Sequence, residues 1–156
     1  METLLFVLVV ASLLWLGMED FRFRHISLVP LLVLVGSAVG YRYSVVGLNL
    51  LLVDMLLNLA FFAVQLLLLT IYFSIKHRRW TNLIDRQFGL GDVLFLIPLA
   101  VLLPFPRSVW FYMVALVVIL LGHFLYYRSR VGEATVPLAG GLAMLLAGYL
   151  VGLVVF

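Results

Sequence analysis

The sequence contains no cysteine. Disulfides, thiolate metal sites and cysteine nucleophiles are therefore excluded. Charge is scarce too: 11% of the 156 residues are Asp, Glu, Lys or Arg, against about a quarter in a soluble domain. The three histidines are scattered, so they suggest no metal-ligand cluster. No polar stretch is long enough to fold separately in water, and there is neither an internal repeat nor a low-complexity tail. What is present is apolar, with 66% hydrophobic residues and a mean hydropathy of +1.26. That composition describes an all-α integral membrane protein with one domain over residues 1–156. The net charge of +3 comes from short basic clusters between apolar runs. It points to membrane orientation and a bilayer partner rather than to nucleic acid.

The apolar runs predict a polytopic bundle of about six transmembrane helices. The first run, Thr3 to Met18, ends at Glu19-Asp20. It lacks a preceding basic segment and reads as a membrane helix rather than a cleaved signal. The second, Ile26 to Gly40, carries Pro30 near its start, where proline is tolerated. Tyr41-Arg42-Tyr43 then reads as an interfacial belt. The third run, Gly47 to Ile75, exceeds the roughly 20 residues needed to span a bilayer. A fourth begins at Asp92 or Val93 and stops near Leu103, with Pro98 inside, and predicts a kinked or half-buried helix. The fifth is Ser108 to Tyr127, and the sixth starts at Val136. In the sixth, Gly140-Gly141, Gly148 and Gly152 offer small faces for close packing.

Six crossings sort the basic residues onto two sides. Arg22, Arg24, Lys76, Arg78, Arg79, Arg86, Arg128 and Arg130 share one side, whereas Arg42 and Arg107 lie on the other. The first side is then cytoplasmic, both termini face outward, and the protein sits in the inner, cytoplasmic membrane. Asp20 and Asp92 fall on the same cytoplasmic side.

Acids at a membrane edge are costly and default to a functional hypothesis. Two that approach within a few ångströms cannot both ionise easily, so one keeps its proton. Such a pair can hold a water, deprotonate it as it attacks a carbonyl, and protonate the carbonyl oxygen. This is aspartyl proteolysis, and it needs no metal and no cofactor. The alternative is structural: Asp20 as a solvated helix-end charge, Asp92 as the N-cap of the fourth helix. Gly89 and Gly91, just before Asp92, would let the chain bend and another backbone approach.

Gly89-Leu90-Gly91-Asp92 resembles the GxGD signature of intramembrane aspartyl proteases. Asp20-Phe21-Arg22-Phe23-Arg24-His25-Ile26 is similar to the first catalytic segment of type IV prepilin peptidases, an Asp followed by a basic stretch and Ile. Glu133 to Ala143, centred on Pro137 and Gly140, resembles the Pro-Phe-Gly-Pro segment opening that family's last helix. The order and spacing of the three segments fit, and the resemblance spans nearly the whole chain. It implies that Asp20 and Asp92 form the catalytic pair. It also implies a prepilin-like single-pass protein with a basic leader as substrate. There are departures: Ser27-Leu28 stands where the family has Pro-Asn, Leu94 where it often has Lys, and Pro137-Leu138-Ala139-Gly140 where it has Pro-Phe-Gly-Pro. Without a cysteine-rich insertion the chain looks like the short, peptidase-only form, similar to preflagellin peptidases.

The remaining polar residues have more ordinary readings. Glu19, Asp85 and Glu133 could hold a basic leader or pair locally with Arg22, Arg86 or Arg130. Asp54 reads as an interfacial carboxylate bonded to another helix, and Asn58 and Gln65 as interhelical hydrogen bonds. His123 reads as a packing residue, and Lys76-His77-Arg78-Arg79 as a lipid anchor. Two rival functions remain: a non-catalytic transport or assembly component, and a presenilin-like protease sharing GxGD.

Overall fold

The computed structural model describes residues 1–23, 25–77, 90–127 and 138–155. Among these residues the regular structure is all helical, in five helices. They are α1 (Glu2–Phe23), α2 (Leu28–His77), α3 (Leu90–Leu102), α4 (Arg107–Tyr127) and α5 (Leu138–Val155). Three stretches, Glu2–Phe23, Leu28–Tyr72 and Arg107–Leu125, are long and apolar enough to cross a membrane.

The second and third apolar runs form the two arms of α2, which meet at a kink. Tyr41-Arg42-Tyr43, between the two runs, are helical and belong to the first arm. The only non-helical residue inside α2 is Gly47, at φ 77°, ψ 171°. A positive φ of this kind is open to glycine and costly for residues with a Cβ. The bend is large. Arg42 and Asp54 would sit about 18 Å apart along a straight helix, beyond the reach of their side chains. Here Arg42 Nη2 donates to Asp54 Oδ2 at 2.7 Å. Gly47 therefore folds the two arms of α2 back toward each other.

The first arm of α2 lies against α1, with Leu5 over Gly40 and the Phe6 and Tyr41 rings 5.5 Å apart. The second arm holds α3 and α4. Asp54, Asn58 and Gln65, spaced by four and seven residues, share one helix face. Asn58 is fully buried, and its amide donates to the carbonyls of Ala100 and Leu103, at 2.9 and 2.8 Å. Ala100 lies in the last turn of α3 and Leu103 just beyond it, where no intrahelical donor remains. Asn58 Oδ1 also accepts from the Ser108 hydroxyl at the start of α4. Asp54 Oδ1 accepts from the Phe105 N–H at 3.2 Å, and Gln65 donates to the Tyr112 hydroxyl at 3.4 Å. All three polar residues thus act as the interhelical ties expected of them.

The helix α3 is the short central piece. Its 13 residues give about 20 Å of helix, less than the roughly 30 Å hydrocarbon core of a bilayer. Phe95, Leu96 and the run from Pro98 to Leu102 are buried, so protein covers most of its apolar surface, while Leu90 and Ile97 stay exposed. On α5, Gly141 accommodates Ile119 of α4, and the Phe111 and Tyr149 rings stand 5.4 Å apart. Only part of the expected glycine face packs closely. A Cβ on Gly148 or Gly152 would meet nothing within 4 Å.

Candidate carboxylate site

The site is assembled from the ends of three helices. On α1 the buried face runs Val9, Ser12, Leu13, Leu16, Gly17, Asp20. Leu13, Leu16, Gly17 and Asp20 follow the i, i+3, i+4, i+7 spacing of one helix stripe. The stripe that packs α1 into the bundle therefore also carries Asp20 inward, where it is 8% exposed. Asp92 lies two residues inside α3 and is half-buried. The alternative in which Asp92 is the N-cap of its own helix does not describe this arrangement, because α3 already begins at Leu90.

Both acids reach the first turn of α5. Asp20 Oδ2 accepts from the Gly140 N–H at 2.7 Å, and Asp92 Oδ1 accepts from the Ala139 N–H at 2.8 Å. These are consecutive amides, so the two bonded oxygens lie within about 8 Å of each other. The first N–H groups of a helix have no intrahelical acceptor, and the positive end of its dipole favours carboxylates. Two acids far apart in the sequence thereby meet at the start of α5. No family model matches the sequence, and no curated protein or solved structure matches it significantly.

Gly140 is what lets Asp20 in. A Cβ there would lie 2.8 Å from Asp20 Oδ2 and 2.9 Å from its Cβ. Real Cβ atoms do not approach so closely, so any side chain would push the carboxylate or the helix away. Nothing in the sequence marks that contact. Gly140 stood out as part of a motif and a packing face, and its partner is on another helix.

Gly91 behaves differently from the expected flexible hinge. It is helical, and the space left by its missing Cβ is filled by Ile26, whose Cδ1 would lie 2.9 Å from a Cβ at that position. Glu19, a candidate for leader binding, is bonded within the chain. Its carboxylate accepts from the Ser27 N–H at 3.1 Å and from the Ser27 hydroxyl at 2.8 Å. Gly89, Asp85 and Glu133 lie outside the described residues, as do Arg24, Arg78, Arg79, Arg86, Arg128, Arg130 and Pro137. His123 is half-buried on α4, and the His25 ring stacks on Phe23 at 5.6 Å. Among the described residues no group of three or more His, Asp or Glu is placed to hold a metal ion.

Two carboxylates fixed at one helix end, one buried and one half-buried, can share a proton and hold a water between them. Their other chemical use is purely structural, as caps of α5.

Proposed function

We propose that the chain is an intramembrane aspartyl endopeptidase, with Asp20 and Asp92 as its catalytic pair. The observation that carries this reading is the seating of both carboxylates on the consecutive amides of Ala139 and Gly140. In the reaction the ionised carboxylate accepts a proton from water as the water oxygen attacks the scissile carbonyl carbon. The protonated carboxyl donates to the carbonyl oxygen. Collapse of the tetrahedral intermediate breaks the C–N bond, and the amine leaves with a proton. No metal or cofactor takes part. The substrate class rests on the resemblance to prepilin peptidases: a prepilin-like single-pass protein cut after its basic leader.

On this reading the two arms of α2 count as separate passes and α3 as a short one, which makes six. The distribution of basic residues in the sequence supports a carboxylate end at the cytoplasmic face of the inner membrane, with both termini outside. The presenilin-like alternative shares the chemistry and differs only in substrate.

A second reading is favoured by the same bonds. The two acids satisfy orphan amides of α5, which a non-catalytic transport or assembly component would need as much as an enzyme. Asparagine separates the two, because its side-chain oxygen still accepts from the amide but it cannot act as a base. The test is cleavage of a co-expressed prepilin-like substrate in membranes by wild type, Asp20→Asn and Asp92→Asn. Shortening by the wild type alone, with all three folded, supports the protease. Equal shortening by the variants sinks the dyad.

A further inference from the structure

The two acid-bearing helix ends are tied together a second time, away from α5. Glu19 is the neighbour of Asp20, and its carboxylate takes both the N–H and the hydroxyl of Ser27. Ile26 is the neighbour of Ser27, and it fills the notch left by Gly91. Gly91 is the neighbour of Asp92. The chain thus runs from Asp20 through Glu19, Ser27, Ile26 and Gly91 to Asp92, with each link either a covalent neighbour or a direct contact. Glu19, Ile26 and Ser27 are all half-buried, so the tie lies at the rim of the site rather than deep in the bundle.

The geometry of each link is restrictive. A carboxylate that receives two hydrogen bonds from one residue fixes that residue in distance and in rotation. A side chain of Ile size against a helical glycine fixes how closely the two backbones approach. Together the links determine where the last turn of α1 sits relative to the first turn of α3. The bonds to Ala139 and Gly140 orient each carboxylate separately. They do not by themselves set the separation of the helices that carry them.

We propose that Glu19, Ser27, Ile26 and Gly91 form a clamp that sets the separation of Asp20 and Asp92, with Glu19 as a positioning residue. As far as catalysis is concerned, this rests on the protease reading. The clamp assigns Glu19 a role distinct from leader binding. A residue that held a basic leader by charge would act on substrate affinity, whereas a positioning residue acts on the chemical step.

Two measurements test it. In the first, Glu19→Ala lowers kcat about 10- to 100-fold at unchanged KM, because a small displacement of paired catalytic groups is costly. Glu19→Gln, which keeps acceptor capacity without charge, retains most of kcat. A raised KM in Glu19→Gln with kcat intact overturns the clamp in favour of leader binding. The same arm includes a rescue. An ideal Cβ at Gly91 lies 3.4 Å from the Ile26 Cβ, close to the roughly 3.5–4.5 Å span of a disulfide. The natural chain has no cysteine, so Ile26→Cys with Gly91→Cys offers a single intramolecular pairing. Oxidation of that pair in the Glu19→Ala background restores cleavage, and reduction removes it again. No rescue by a disulfide that demonstrably forms overturns the proposal.

The second measurement needs no activity. Asp20→Cys with Asp92→Cys is bridged by a short bifunctional thiol reagent, with and without Glu19→Ala. The clamp requires the bridging yield to fall several-fold when Glu19 is lost, and an unchanged yield overturns it. If the wild type cuts no substrate while the yield still falls, the protease reading fails and the clamp stands.

Discussion

Asp20 and Asp54 sit near opposite ends of the same bundle and are treated in opposite ways. Asp54 meets a guanidinium, Arg42 at 2.7 Å, and also takes the Phe105 N–H. Asp20 is drawn by a backbone amide to the end of α5, where Asp92 arrives as well. The α1 residues beside the two regions, Leu5 near Gly40 and Asp20 itself, are separated by about 22 Å of helix. One end spends its acid on holding a bend closed. The other gathers two acids on the amides of one helix end, whose dipole favours negative charge. A carboxylate neutralised by arginine is a fastener, while two carboxylates collected on amides have proton chemistry open to them.

The sharpest way to break that contrast is to substitute all three acids by asparagine. Asp20→Asn and Asp92→Asn should each lower cleavage by at least about 1,000-fold, as expected when a group acting as half of a catalytic unit is lost. Their thermal unfolding in detergent should stay near wild type, because the amide oxygen still caps α5. Asp54→Asn should do the reverse. It leaves Arg42, which is 8% exposed, without its counter-ion, and breaking such a pair costs about 3 kcal/mol. Cleavage by the folded fraction should persist. If Asp54→Asn abolishes cleavage while Asp20→Asn spares it, the roles assigned to the two ends are reversed and the transport reading gains.

Next in size is Gly140→Ala. The added methyl would fall 2.8 Å from Asp20 Oδ2, and the smallest adjustment moves the carboxylate off its amide. Losing that charged hydrogen bond costs about 1.5–3 kcal/mol, and displacing the acid should lower cleavage about 100-fold. A Gly140→Ala protein with full activity would mean that Asp20 does not need the α5 amide.

Asn58→Ala tests the fastening end alone. It strips donors from the Ala100 and Leu103 carbonyls and the acceptor from Ser108. Interhelical bonds of this type are worth about 0.6–2 kcal/mol each in membrane proteins, so unfolding should come measurably earlier. Turnover per folded molecule should hold, and comparing active-site-normalised rates before and after heating would check it.

These expectations also show which parts of the structure can be read from the chain. Helical segments follow from apolar runs, and the shared fastening role of Asp54 and Asn58 follows from their place in a long apolar run. The shared end of Asp20 and Asp92 follows from counting crossings. The extent of the first arm of α2 does not, because Tyr and Arg are ordinary helix residues and Tyr41-Arg42-Tyr43 stay helical. A single glycine at φ 77° makes the bend without a polar loop to announce it. The α5 bracket is equally silent. Its donors are backbone N–H groups, which every residue except proline carries, so no side chain marks them. Glu19 reads as a surface acid until the fold brings Ser27, eight residues on, beneath it.

The smallest effect expected is on α5 itself. Gly140 and Gly148 lie on one helix, eight residues apart, and composition alone gives them the same packing role. A Cβ at Gly148 would meet nothing within 4 Å, whereas one at Gly140 would strike Asp20. Alanine is the better helix former by about 1 kcal/mol, so Gly148→Ala should leave cleavage unchanged and slightly raise the unfolding temperature. A matched pair of thermal melts and cleavage assays on Gly140→Ala and Gly148→Ala would read both effects. Equal damage from both would make the glycines a general packing stripe and would strip Gly140 of its specific tie to Asp20. Damage at Gly140 alone ties the glycine to the acid, and through it the start of α5 to the chemistry.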